Sequence, residues 1–292
     1  MLIAQGIWSI TSLIDKIVIS KNYIKNPLVY IVLNGLMNIL LIFLLLFVSF
    51  EPLKLTDFLI VFFSGIVFSA SVILYYKAVQ YDDISKVIIL FQLGPIFVLI
   101  LSFLFLGEIL TENHFIGFIF LLGAGIIVSH KRAEKSFKLS RAFYYMLIAA
   151  FLGAISAVGA KYIYSITSFW SAFLWLRLSG FTALLVLLLP SIRQDSLKTF
   201  KLMKPKIKGL MVFKMVIDFS AFIFAGYALL NGSVSLVIAL GSSLLPLFVF
   251  ILTLITSIYL PKLIKEEINK KAILTKLLAI VLIIIGIVFV NL

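Results

Sequence analysis

The chain of 292 residues contains no cysteine, which excludes disulfides, thiolate nucleophiles and cysteine-ligated metals. Histidine is almost as scarce: His114 and His130 are the whole imidazole supply, and both fall at the ends of apolar runs, a poor basis for a zinc site. Charged residues make up 13% of the chain, against ~25% in soluble domains. Acidic groups are rarer still, 12 Asp and Glu against 25 Lys and Arg. Paired carboxylates with histidine at one interface, the equipment of a membrane enzyme acting on a polyprenyl phosphate, are missing. The glycines are dispersed, so no phosphate-cradling loop is visible. Met1 leads straight into an apolar run without a basic segment, and that run meets Asp15 and Lys16, not a small-residue cleavage site, so no cleavable signal peptide is expected. No catalytic residue, cofactor or metal site is expected.

What the chain has in abundance is apolar sequence, with 63% hydrophobic residues. The stretch Ile84 to Glu108 is uncharged between Lys86 and Glu108, long enough at ~1.5 Å per residue to cross the ~30 Å hydrocarbon layer. Reading apolar runs on that scale predicts ten spans: 1–20, 28–50, 58–78, 84–106, 113–130, 142–165, 169–190, 209–230, 233–258 and 273–291. The fold class is therefore an all-α polytopic membrane protein. Pro95, inside the fourth span with Gln92 one turn before it, is expected to kink that helix.

The chain repeats itself. PIFVLIL at Pro95 to Leu101 returns as PLFVFIL at Pro246 to Leu252, and Ala4 to Lys16 aligns with Ala149 to Lys161. Residues 1–130 form the first five-helix unit, 131–141 a basic linker, and 142–292 the second unit. An odd number of spans per unit makes the second unit run upside down relative to the first, giving ten transmembrane helices as two inverted five-helix repeats. In alternate loops nearly all Lys and Arg fall on one side, with Lys54 alone on the other. The linker is therefore expected in the cytoplasm and both termini outside, in a multi-pass protein of the cytoplasmic membrane. The net charge of +13 reads as topology determinant and contact to anionic lipid, with no nucleic-acid partner. The basic stretch Ile192 to Met203 has two readings, a helix lying in the headgroup plane or a connecting loop.

Two five-helix units with Pro-[hydrophobic]-Phe-Val in the fourth span resemble the EamA-type drug/metabolite transporter superfamily. So do LFLGE at Leu104 to Glu108 and the glycine-bearing span Gly117 to Val128. The second unit departs from the pattern at Ile258 and Tyr259, where Gly107 and Glu108 would recur. The resemblance implies a central cavity between the halves and alternating-access exchange of small metabolites such as amino acids.

Charge inside the bilayer marks candidate residues, because each such group needs a partner or a wet cavity. Asp218 lies deep in the eighth span, Lys214 is one turn earlier on the same face, and Arg177 reaches similar depth in the seventh. An Arg177–Asp218–Lys214 cluster is the expectation, either binding substrate or locking two helices. Two positive groups around one carboxylate would favour an anionic substrate and would permit proton coupling through Asp218. Gln92 and Ser242 sit beside the prolines, to read a polar substrate or to satisfy carbonyls freed by Pro95 and Pro246, the kink and gating positions. Asn34 and Asn38 face one way as interhelical glue or cavity lining. Trp8, Trp175 and Tyr76 are candidates for an aromatic cavity wall. Lys16 and Lys161 are repeat-related and suit snorkelling or gating.

The function these residues favour is a secondary transporter of a small polar metabolite, an amino acid or related compound, acting as a monomer or homodimer. The alternative is a flippase for a lipid-linked or phosphate-bearing substrate.

Overall fold

The computed structural model describes residues 1–21, 23–36, 38, 47–48, 50–107, 111–129, 139–232, 234–264 and 269–290. Among these, every regular element is a helix: α1 Leu2–Ser20, α2 Pro27–Leu36, α3 Leu55–Tyr81, α4 Ile84–Phe91, α5 Gly94–Leu106, α6 Glu112–Ser129, α7 Arg141–Ile166, α8 Phe169–Ser179, α9 Pro190–Leu202, α10 Pro205–Asn231, α11 Val234–Tyr259 and α12 Lys270–Val290. A 3-10 segment, Gly180–Leu188, continues α8. Seven segments are long and apolar enough to cross a membrane: Leu2–Ser20, Leu55–Tyr81, Ile84–Phe105, Arg141–Ile166, Phe169–Leu188, Pro205–Asn231 and Lys270–Phe289. The protein is a multi-pass membrane protein. At the other three expected spans, 28–50, 113–130 and 233–258, the described residues hold only shorter apolar helices, Pro27–Leu36, Glu112–Ile127 and Leu244–Tyr259, so they do not establish ten spans. Most of the linker, residues 131–138, lies outside the described residues.

Local chemistry accounts for the helix ends. The Ser140 hydroxyl accepts a hydrogen bond from the Phe143 amide at 3.2 Å and starts α7. Pro190 and Pro205 open α9 and α10, where their missing N–H costs nothing. Gly107 ends α5 with φ of 70°, a left-handed conformation that a side chain resists. The stretch 190–202 is a helix and not an irregular loop.

Pro95 acts earlier than expected. Its ring clashes with the carbonyl four residues back, so α4 stops at Phe91 and α5 begins at Gly94 with Pro95 in its first turn. Pro246, by contrast, sits inside α11 without interrupting it. The seventh span also differs from expectation. It is α-helical only to Ser179, and its remaining nine residues form the 3-10 segment, which at ~2.0 Å per residue reaches further than an α-helix of that length.

Helices α3 and α7 pack antiparallel over their length. Tyr162 donates to the Asp57 carboxylate at 2.9 Å and the Ser71 hydroxyl donates to the Ala149 carbonyl at 2.7 Å. Small residues let the backbones close: a Cβ on Gly159 would collide with the Ser64 hydroxyl, and one on Gly286 of α12 would come 2.9 Å from the Gly117 carbonyl of α6. The Lys16 ammonium donates to the carbonyls of Val79 and Asp82 at 3.1 and 2.6 Å, so α1 points toward the end of the bundle where α3 finishes. Its sequence counterpart α7 points the other way. Exposed Leu274, Leu278, Val281, Ile284 and Val288 run along one side of α12, as a lipid-facing surface requires.

Candidate functional site

Helix α1 carries the polar side chains Gln5, Ser9, Ser12 and Asp15, all buried, at spacings that bring them to one face. Because α1 continues to Ser20, Asp15 lies within the helix and its carboxylate reaches the interior. Helix α10 presents Lys214 and Asp218 one turn apart on the face opposite it. The Lys214 ammonium lies 2.5 Å from Asp218 Oδ2 and 3.4 Å from Asp15 Oδ1. It also lies 3.4 Å from Asn34 Oδ1 of α2. Asp15, Lys214 and Asp218 are only 5, 3 and 7% exposed.

Phenols complete the surround. Tyr30 donates to Asp15 Oδ1 at 2.6 Å, and Tyr75 approaches Asp15 Oδ2 at 3.5 Å. Tyr76 accepts from the Asn34 amide and stacks edge-on against Tyr30, with ring centroids 4.3 Å apart. Two carboxylates therefore share one ammonium among neutral hydrogen-bonding groups, and when fully ionised the cluster carries one surplus negative charge. In a poorly solvated interior that surplus calls for a proton or a cationic group.

This reverses the sign expected from the sequence. Lys214 and Asp218 do pair, but Arg177 does not join them. Its guanidinium carbon sits 3.7 Å over the Phe222 ring, with no ion pair to Asp218 among the described residues. Asp15 takes the place assigned to Arg177, turning a surplus of positive charge into a negative one. Sequence reasoning does not anticipate Tyr30, nor the place of Asp15, Tyr75 and Asn34 in the charge cluster. The expected first span, 1–20, contains Asp15, yet nothing along the chain shows that its carboxylate turns toward Lys214.

The remaining candidates scatter. Trp8 packs edge-on against Phe222 with centroids 5.3 Å apart, and Phe68 meets the same ring at 6.4 Å. Trp175 is far from the cluster. Its indole N–H donates to the Glu51 carbonyl at 2.9 Å and its ring lies 4.7 Å from Phe50, so it anchors the end of the bundle near Asp57. Gln92 donates to the Ile88 carbonyl at 3.0 Å, one turn back on the α4 side of the helix break. The Ser242 side chain lies outside the described residues. Lys16 and Lys161 both donate to main-chain carbonyls at helix ends, and Glu108 lies outside the described residues.

Beside Trp175 is a cleft of about 380 Å³ lined by Glu51, Lys54, Asp57, Tyr162 and Thr167 among others. Among the described residues no three His, Asp or Glu side chains converge as metal ligands.

Comparison with known proteins agrees with the architecture. Residues 1–130 match the model of the EamA-like transporter family. No curated protein sequence matches the chain. A solved crystal structure, described only as that of a protein, superposes with a TM-score of 0.61 at 14% identity, covering 99% of this chain and 94% of its own. At that identity the likeness is one of fold.

Proposed function

We propose that the protein, whose residues 1–130 match the model of the EamA-like transporter family, is a proton-coupled secondary transporter of a small polar metabolite. The metabolite is an amino acid or a related compound bearing an amino group. The protein works by alternating access across the cytoplasmic membrane and performs no covalent chemistry. The observation that carries this reading is Asp15 and Asp218 flanking Lys214 in the interior. One carboxylate comes from the first span of the first half, and the other two groups come from the third span of the second half. A proton or a substrate amino group neutralises the surplus charge, and only one of the two can do so at a time. Their competition couples the two fluxes.

The halves supply the moving parts in this reading. Ten spans are arranged as two inverted units, 1–130 and 142–292, joined by a cytoplasmic linker, with both termini outside. The opposite directions of α1 and α7 support this arrangement, as does the pairing of α6 with α12, the last helix of each half.

The test is proton movement in proteoliposomes enclosing a pH-sensitive dye, with a panel of amino acids, polyamines, nucleosides and sugar phosphates offered outside. Some member of the panel should drive proton flux, and Asp218→Asn and Asp15→Asn should each uncouple it by tenfold or more. Transport with unchanged rate and pH dependence in both variants would remove the cluster from the mechanism.

A further inference from the structure

Helix α9 joins two spans without continuing either. Extended residues set it off at both ends, Leu189 with ψ of 114° and Met203 with ψ of 126°, so its 13 residues form a separate rod, ~20 Å long at helical rise. One side is held by the bundle through the buried side chains of Ile192 and Met203. The opposite flank is open and mixed in character. Leu197 and Phe200 are 60 and 53% exposed, and helical spacing puts them on one flank with Arg193 and Lys201. Asp195, the one acidic residue of α9, stands two positions from Leu197 and so turns to the far side.

Neither hydrocarbon nor water suits that flank. A surface sunk in hydrocarbon is apolar along its length, as on α12, and would not carry Arg193 and Lys201. A surface in water would leave Leu197, Phe200 and Leu202 uncovered. The boundary between the two satisfies both sets, since the apolar side chains enter the acyl layer while the long basic ones reach headgroup phosphates. Charge selects the headgroup. Between Arg193 and Lys208 the chain carries six cations against Asp195 alone, and among the described residues Arg193, Lys198, Lys201, Lys204 and Lys206 make no ion pair. Lys208 extends the same surface from α10, its ammonium 4.4 Å from the centre of the Phe200 ring, which sets an aromatic face and a cation side by side.

We propose that α9 and the first turn of α10 are a docking surface for the headgroups of anionic phospholipids, with α9 lying in the plane of the headgroup layer. Leu197 and Phe200 enter the acyl boundary, and Arg193, Lys201 and Lys204 hold the phosphates. A zwitterionic headgroup offers the same phosphate but brings a cation of its own, which the basic surface repels, so the surface prefers lipid of net negative charge. This partner is independent of the compound transported.

The test places the full-length protein in phosphatidylcholine vesicles with trace spin-labelled lipid and reads the motionally restricted fraction of the label. Labelled phosphatidylglycerol should associate at least threefold more strongly than labelled phosphatidylcholine, and inorganic phosphate should displace it no better than chloride at equal ionic strength. The variant Arg193→Gln, Lys201→Gln, Lys204→Gln should lose most of that preference. A charge-matched control, Lys262→Gln, Lys270→Gln, Lys271→Gln, removes three exposed cations elsewhere and should keep it. Equal association of the two lipids, displacement by phosphate alone, or equal loss in the two triple variants would each overturn the proposal. Because the chain has no cysteine, depth is read with one nitroxide at a time. At Leu197→Cys the label should respond more to oxygen than to a water-soluble nickel chelate, and at Asp195→Cys the order should reverse. A label at Leu197→Cys that responds chiefly to the chelate sinks the in-plane placement. The wild-type lipid comparison and the nitroxide readings hold even if the triple variant fails to fold.

Discussion

Lys16 and Lys161 make the same two bonds at opposite ends of the molecule. Lys16 donates to the carbonyls of Val79 and Asp82, at 3.1 and 2.6 Å, and Lys161 to those of Leu229 and Gly232, both at 3.0 Å. The accepting pairs hold the same register at the ends of α3 and α10. The last carbonyls of a helix have no partner within it, and the negative end of the helix dipole favours a cation there. Each lysine is thus a tethered cation closing the end of one of these two helices.

Removing the ammonium while keeping the chain length should therefore destabilise both ends alike. Lys16→Met and Lys161→Met are each expected to cost about 1–3 kcal/mol, the penalty of leaving a desolvated polar group unmet. The two sites are remote, so the double variant should show the sum within about 0.5 kcal/mol. Thermal unfolding of the detergent-solubilised protein reads this. A loss at one end only would mean that the two clamps are not equivalent.

Breaking the charge cluster at its centre should cost more than dissolving it. Lys214→Met leaves two carboxylates facing each other without a counter-ion and should destabilise by about 3–5 kcal/mol. The neutral triple variant Asp15→Asn, Lys214→Met, Asp218→Asn removes every charge and should be more stable than Lys214→Met alone. The comparison is a melting temperature. If the triple variant melts lower than the single one, the cluster is held by packing and not by charge.

Acid should loosen the end of the bundle near Glu51. Glu51, outside the membrane spans, has its carboxyl held below the ordinary value of 4.5, chiefly because the Thr167 hydroxyl donates to it at 2.8 Å. A depressed carboxyl group favours the folded contact above its ordinary value and loses that contribution as pH falls through its lowered value. Trp175 reports on this because its indole bonds the Glu51 carbonyl. Tryptophan emission should change as pH drops below about 4.5 in the wild type and stay flat in Glu51→Gln. A matching change in the variant would assign the transition to another group.

The sequence by itself determined what depends on neighbours along the chain. Apolar length marked the spans, and the spacing of Lys214 and Asp218 put them on one helix face because four residues make about one turn. The duplication was written in the recurrence of Pro95 and Pro246 and of Lys16 and Lys161. Only the tertiary structure decided which faces meet. A helix that is apolar nearly all round carries little signal of which side turns inward. Rotation about the helix axes therefore brought Asp15 to Lys214 and turned Arg177 onto Phe222, and with that the sign of the buried charge. The proline pair shows the same division. Both prolines remove a backbone donor, but only at Pro95 did the surrounding helices accept a break, with Gln92 bonding across the turn before it.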